Sequence, residues 1–151
     1  TWIMAVRPAI ATLDARLLGF AERWSTRSLR YGIALVFIWF GALKPLGVSS
    51  ATELVAATVY VVDPALFVPF LGVWEVVIGL CFLYRPAIRI GIALLAVQMV
   101  GTFLPLVLLP EVTFTVYPTV PTLEGQYIIK NIVVIGAAIT VGSTLPPVDR
   151  Q

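Results

Sequence analysis

Long apolar runs separated by short polar clusters dominate the hydropathy pattern of this chain. The run from Pro64 to Tyr84 holds twenty-one residues and a single charge, Glu75, near its middle. A helix of that length is about 30 Å long, which matches the hydrocarbon core of a bilayer. The run is therefore predicted to cross a membrane with a carboxylate at depth, where an acid is costly and needs a partner.

Other apolar runs of similar character flank this one on both sides. Together they predict an all-α membrane protein whose residues 29–146 form one four-transmembrane-helix bundle, followed by a short cytoplasmic tail over 147–151. The helix-breaking residues Pro45 and Gly47 end the first run, and Pro146 ends the last. The predicted spans are residues 29–46, 64–84, 90–110 and 125–145.

Residues 1–28 are predicted to form an amphipathic N-terminal segment whose helix covers residues 8–28, with Pro8 at its first helical position. Apolar side chains recur in it at helical spacing, and arginines lie off this apolar face. This pattern favours a helix lying on the cytoplasmic membrane surface, although a helix docked on a partner subunit fits it as well. The apolar positions are Ile10, Leu13, Leu17, Phe20 and Trp24, and the arginines are Arg16, Arg23 and Arg27.

Two connecting segments are predicted to lie at the outer side of the bundle. The nine apolar residues between Glu53 and Asp63 are too few to cross a bilayer, so they predict a short outer-surface helix between spans 1 and 2. Residues 112–116 alternate between apolar side chains and threonine, which predicts an extended segment that Pro118 and Pro121 bring to an end. This segment is expected to cap the bundle.

Composition and charge agree with a membrane protein and give it an orientation. The chain is 60% hydrophobic and 12% charged, and a soluble domain is about 25% charged. With four spans, every arginine falls on one side, which the positive-inside rule makes cytoplasmic, together with both termini. With no histidine and one cysteine, a Cys/His zinc site, an internal disulfide and a two-cysteine redox relay are excluded. Nucleic-acid binding is not expected, since the basic residues are confined to membrane-facing segments.

The only two lysines, Lys44 and Lys130, fall within or at the edge of apolar runs. Counted from the cytoplasmic ends of their spans, both lie at a height of about 21 Å, above Glu75 at about 15 Å and Gln98 at about 13 Å. A lysine side chain is long enough to close such a difference in height. The sequence therefore predicts a buried polar cluster in the outer half of the bundle.

This cluster has two interpretations, and the residues alone leave both open. In the first, Glu75 pairs with Lys130 or Lys44 to fix helix register, and the spare lysine extends outward. In the second, the spare positive charge holds a small anion or a quinone carbonyl in an outward-facing pocket. The walls of that pocket would come from Tyr127, Asn131, Trp39 and Trp74, and no metal site is expected.

Four stretches, in the same order along the chain, resemble the DoxX-like superfamily of small four-span bacterial membrane proteins, and within it the YkgB/RclC-like branch. They are RYGIALVFIWFGALK (30–44), LGVWEVVIGL (71–80), the Thr/Pro segment 114–118 and EGQYIIKNIVVIGA (124–137). The resemblance implies a multi-pass protein of the bacterial inner membrane, associated with oxidative or reactive-chlorine stress and with membrane redox complexes. Its charged positions fall on Lys44, Glu75 and Lys130, and Asn131 replaces an aspartate that is common in relatives.

The leading hypothesis is therefore a quinone- or small-anion-binding component of a membrane redox or stress-resistance system. Its expected partners are the lipid bilayer and either other membrane-protein subunits or further copies of itself. No covalently bound cofactor is expected, a quinone is possible, and the chain is not expected to act as a stand-alone enzyme. The alternatives are a non-catalytic accessory or structural subunit of a larger membrane complex and, third, a small transporter or channel.

Overall fold

A computed structural model describes residues 2–148 of the chain, with side chains described from residue 7 onward. The fold is mostly helical, with one short β-hairpin, and a 3₁₀ turn (Arg85–Ala87) precedes the fourth helix. The elements are α1 (Trp2–Leu43), α2 (Thr52–Thr58), α3 (Pro64–Leu83), α4 (Ile88–Phe103), α5 (Pro105–Leu108), α6 (Pro110–Thr113), β1 (Phe114–Val116), β2 (Val120–Pro121), α7 (Leu123–Ile129) and α8 (Asn131–Ser143).

Three helical segments of the described chain are long and apolar enough to cross a membrane: Pro64–Leu83, Arg85–Leu108 and Leu123–Ser143. They coincide with the second, third and fourth predicted spans to within a few residues. The first of them, α3, begins sharply because Pro64 occupies its first turn and the Asp63 carboxylate accepts a hydrogen bond from the backbone N–H of Ala65 at 2.9 Å.

Two of these segments contain a local interruption that the apolar pattern did not predict. At Pro105 the absent N–H separates α4 from α5. At Lys130 the fourth segment divides into α7 and α8, and the amide nitrogen of Asn131 donates to the carbonyl oxygens of Tyr127 and Ile128 at 3.3 and 3.0 Å. Such side-chain bonds compete with the helical backbone ladder, so they accompany breaks of this kind.

The N-terminal part of the chain differs from the prediction. Residues 2–43 form one uninterrupted helix, so Pro8 lies inside α1 and not at its first helical position, and no break separates residues 28 and 29. The helix ends at Leu43, three residues before the predicted limit of the first span, because Pro45 cannot continue it and Gly47 adopts a left-handed φ of 72°. Its apolar part, residues 31–43, is shorter than the three segments above.

The most extensive helix contact in the bundle is the crossing of α1 and α3, and glycines make it possible. A Cβ on Gly72 would lie 2.5 Å from the carbonyl oxygen of Gly41 and 2.7 Å from the Cβ of Lys44. A Cβ on Gly79 would lie 2.8 Å from the carbonyl oxygen of Ala34. Backbones approach this closely only where a side chain is absent, so these glycines set the distance between the two helices.

The crossing also fixes how far α1 extends along α3. Gly72 lies eight residues into α3 from Pro64, a rise of about 12 Å. The last turn of α1 packs at this level, so α1 stops about 12 Å short of the Pro64 end of α3. The predicted short helix is present here as α2, and it packs against α3 and α5.

The predicted extended segment is confirmed for residues 114–116, which form β1 and pair antiparallel with β2. It is wrong for Val112 and Thr113, which belong to α6. The backbone N–H of Thr113 donates to the carbonyl oxygen of Leu109 at 3.1 Å and closes a helical turn there, and the fully buried Thr113 hydroxyl donates to the same oxygen at 2.9 Å. The Thr122 hydroxyl, after β2, donates to the carbonyl oxygen of Val112 at 2.7 Å, which ties the hairpin to the helix before it.

The apolar core lies in the half of the bundle nearer the arginines. It joins α1, α3, α4 and α8, and its largest fully buried side chains come from the last three of these helices. Glu75 and its polar neighbours lie outside this core, toward the end that carries α2 and the hairpin. The largest fully buried apolar side chains are Ile78, Phe82, Ile88, Leu95 and Val141.

Gly72→Ala is expected to destabilise the protein by about 1–3 kcal/mol, because the new methyl group overlaps backbone of α1 that cannot move without separating the helices. The measurement is the thermal unfolding midpoint of the purified protein in a neutral detergent. Gly136→Ala is the matched control, since a Cβ there meets nothing within 4 Å and alanine is the better helix former. Equal midpoints for the two variants would contradict the glycine-dependent crossing.

Candidate functional site

The candidate site is built around Glu75, one of the few charged residues inside the bundle. Its carboxylate oxygen Oε2 accepts a hydrogen bond from the ammonium Nζ of Lys44 at 2.5 Å, and both residues are buried, with 8% and 7% of their surface exposed. Among the side chains of residues 7–148 this is the one ion pair. Each charge therefore finds its counter-ion where solvent cannot supply one.

Gln98 completes the cluster from α4. Its amide Nε2 donates to the second carboxylate oxygen, Oε1 of Glu75, at 2.7 Å. Both oxygens of Glu75 are thus bound, one by the residue that follows α1 and one by α4. The amide oxygen of Gln98 is buried and has no hydrogen-bond partner among the described residues, so this acceptor remains available within the cluster.

The local sequence explains how the ion pair forms. Gly41 precedes Lys44 by three residues, and Gly72 precedes Glu75 by three residues. A Cβ on Gly41 would lie 2.8 Å from the Cβ of Glu75, and a Cβ on Gly72 would lie 2.7 Å from the Cβ of Lys44. Each glycine therefore faces the charged residue of the other helix, one turn away on the same face. This reciprocal arrangement brings the two side chains together.

The second lysine lies elsewhere. Lys130 is exposed at the junction of α7 and α8 and forms no ion pair with the described residues. Of the two pairings left open by the sequence, the structure therefore contains Lys44 with Glu75. The next residue, Asn131, donates its amide to two carbonyl oxygens of α7 and makes no bond to the cluster.

The predicted aromatic walls do not form one enclosed pocket with the cluster. Trp39 is 60% exposed and lines a small apolar surface cavity of about 240 Å³ with Tyr31 and Leu83. Tyr127 is 55% exposed on α7. Trp74, unlike Trp39 and Tyr127, is partly buried. It packs against the apolar core, and its ring centroid lies 6.1 Å from that of Phe70.

Chemically, the cluster is a neutralised ion pair with one free acceptor. Both carboxylate oxygens of Glu75 accept a hydrogen bond, one from an ammonium and one from an amide. Among the described residues no group of three Cys, Asp or Glu side chains could hold a metal ion. The arrangement fits a role in helix register, and the amide oxygen of Gln98 is its one acceptor without a partner among the described residues.

Two features that bear on function were not predicted from the sequence. One is Gly41, whose spacing to Lys44 mirrors that of Gly72 to Glu75. The other is a cavity at the opposite end of the bundle, where Arg23, Arg27 and Arg30 of α1 face Arg85. The three-to-four-residue spacing of these arginines along α1 was a visible signal, because it puts them on one helix face.

Glu75→Gln is expected to cost about 3–5 kcal/mol of stability, because it leaves the buried ammonium of Lys44 without a counter-ion. Thermal or denaturant unfolding in detergent measures the loss. Glu124→Gln removes the same charge from an exposed position and is expected to stay within about 0.5 kcal/mol of the wild type.

The double variant Lys44→Met/Glu75→Gln provides the second half of this test. Since the unpaired charge is then gone, it should recover most of the stability that the single variant loses. If the double variant is no more stable than Glu75→Gln, or if the single variant is as stable as the wild type, the ion pair does not stabilise the fold as described.

The chain was compared with known protein families, curated proteins and solved structures. No family model, curated protein or solved structure matches the chain. The resemblance to the DoxX-like superfamily therefore stays a prediction, and the functional argument depends on the geometry of the chain itself.

Proposed function

We propose that this chain is an integral protein of the bacterial inner membrane that acts as a non-catalytic accessory subunit of a larger membrane assembly. The observation that carries the proposal is the surface of α1 between residues 10 and 24. Its apolar side chains recur every three or four residues and are 44–64% exposed. The docking face, as we name it, consists of Ile10, Leu13, Leu17, Phe20 and Trp24.

The proposal includes four membrane crossings. The first crossing is made by residues 29–43 of α1 together with the segment that follows it through α2. Support comes from the crossing of α1 and α3, because a helix packed along a membrane-spanning helix shares its depth. Leu35, Val36 and Phe40 on this part of α1 are exposed and apolar, as expected of side chains that face lipid. The arginines then gather at one end, which the positive-inside rule assigns to the cytoplasm with both termini.

The continuity of α1 favours a protein partner over the membrane surface as the occupant of the docking face. A helix lying on the bilayer would have to turn sharply where it joins the first span, and sharp turns need a proline, a Gly/Ser pair or a bulge. α1 is uninterrupted from residue 2 to residue 43. Its first half therefore extends past the bundle, where an apolar face recurring at 3–4 spacing fits a helix of a second chain.

The ion pair within the polar cluster supports the same proposal. The two charges in the bundle bind each other, so they serve the architecture of the membrane domain. The surface left for recognition is the docking face, which no other part of the described chain covers.

Leu17→Asp and Phe20→Asp are expected to release the chain from its assembly, because each puts a charge at the centre of an apolar contact. The measurement is native mass spectrometry after gentle extraction from the source membrane. Ala15→Asp adds the same charge at an exposed position on the opposite side of α1 and should leave the complex intact. A wild-type chain that is monomeric in this extract would contradict the accessory role.

A second candidate is the binding of a quinone or small anion at the polar cluster, the second of the two interpretations that the sequence left open. The observation in its favour is the buried, unpartnered amide oxygen of Gln98 beside the Lys44 and Glu75 pair. A buried acceptor without a partner is rare inside a protein. Because a quinone carbonyl or an anion only accepts hydrogen bonds, the ligand that would satisfy this oxygen is the reduced quinol, whose hydroxyl group donates.

Quinone analysis of the same extract tests this candidate. A quinone retained by the wild type and lost in Gln98→Leu would support it, since the variant keeps the size of the side chain and removes the acceptor. Gln126→Leu, at an exposed position of α7, is the control and should retain the quinone. A wild type without quinone or anion would leave the cluster a purely architectural element.

A further inference from the structure

The end of the bundle that carries the arginines holds a cavity of about 710 Å³. It lies between α1, the turn that precedes α4 and the end of α8. Four arginines and one acid, Glu22, are in its lining, so these five side chains leave three net positive charges. The arginines are Arg23, Arg27, Arg30 and Arg85.

Arg30 is the most constrained of these side chains. Its guanidinium lies 4.8 Å from the centre of the Tyr31 ring, and its Nη2 donates to the Tyr31 hydroxyl oxygen at 3.0 Å. Its Nε is buried and has no acceptor among the described residues. A buried charged donor without an acceptor is costly, and an anion in the cavity would satisfy it.

The rest of the lining is apolar and aromatic. Trp24 and Tyr31 of α1 contribute, as do Ile88, the first residue of α4, and Val141 and Leu145 at the end of α8. These positions mark the ends of the apolar helices, the depth at which a lipid headgroup meets its acyl chains. A ligand that fits must therefore combine an anionic group with a hydrocarbon part.

We propose that this cavity binds the phosphate of an anionic phospholipid. Arginine matches a phosphate because its planar fork donates two parallel hydrogen bonds to two oxygens, and pockets of basic residues between membrane helices suit anionic headgroups. Arg27 and Arg30 hold the phosphate oxygens, and the apolar wall at Leu145 contacts the start of an acyl chain. This site is separate from the polar cluster, and lipid binding does not depend on the accessory role proposed above.

The test uses the full-length protein, delipidated in a neutral detergent, with phosphatidylglycerol and phosphatidylcholine as probes. We expect phosphatidylglycerol to raise the thermal unfolding midpoint in a saturable way and phosphatidylcholine not to do so. Arg30→Gln should weaken the apparent affinity for phosphatidylglycerol about tenfold, through loss of a charge-assisted contact. Arg16→Gln removes the same charge from an exposed position of α1 outside the cavity and should leave the affinity unchanged.

Three outcomes would overturn the proposal. Equal weakening by Arg16→Gln and Arg30→Gln would reduce the effect to general attraction between charges, and equal stabilisation by both lipids would remove the phosphate-specific site. Inorganic phosphate that displaces the lipid and stabilises the protein equally would identify a free-anion site. If Arg30→Gln does not fold, Arg27→Gln gives the same comparison, because its side chain is exposed.

Discussion

The reciprocal contact between α1 and α3 is the constraint on which the rest of the bundle depends. Apolar surface gains little by leaving lipid for another helix, so helices in a membrane associate through close packing and polar contacts. Gly41 and Gly72 provide the close packing, and Lys44 and Glu75 provide the polar contact one turn farther along. The two effects reinforce each other, since the side chains meet only where the glycines let the backbones approach.

This constraint divides the molecule into regions with different roles. Around the crossing, charge is neutralised and Gln98 ties α4 to the same carboxylate. Toward the arginine end the helices close over an apolar core, and beyond that core the first half of α1 leaves the bundle. Recognition is therefore proposed for the arginine end, where the docking face and the arginine cavity offer apolar and cationic surface.

Much of the membrane architecture could be predicted from the chain alone. The spans that contain α3, α4 and α8, the short helix α2 and the extended segment at residues 114–116 all follow from runs and alternations of apolar residues. The presence of a buried acid and the set of its possible partners also follow, because so few charges interrupt those runs. Pro105 and Lys130, where two helical segments are interrupted, can be seen in the sequence. The apolar pattern nevertheless continues through both residues, so it did not predict the interruptions.

Height along a helix could be counted from the sequence, and it put Lys44 and Lys130 at the same level above Glu75. Direction around the bundle could not be counted, because it depends on how the helices pack against one another. Tertiary packing therefore decided that Lys44 pairs with Glu75 and that Lys130 faces outward. It likewise decided that α1 continues without a break past residue 28. The sequence by itself determined which segments are apolar enough for a membrane and which charges interrupt them, since both follow from local composition. Only the tertiary structure decided which of those charges meet, since that requires the distance and rotation between helices.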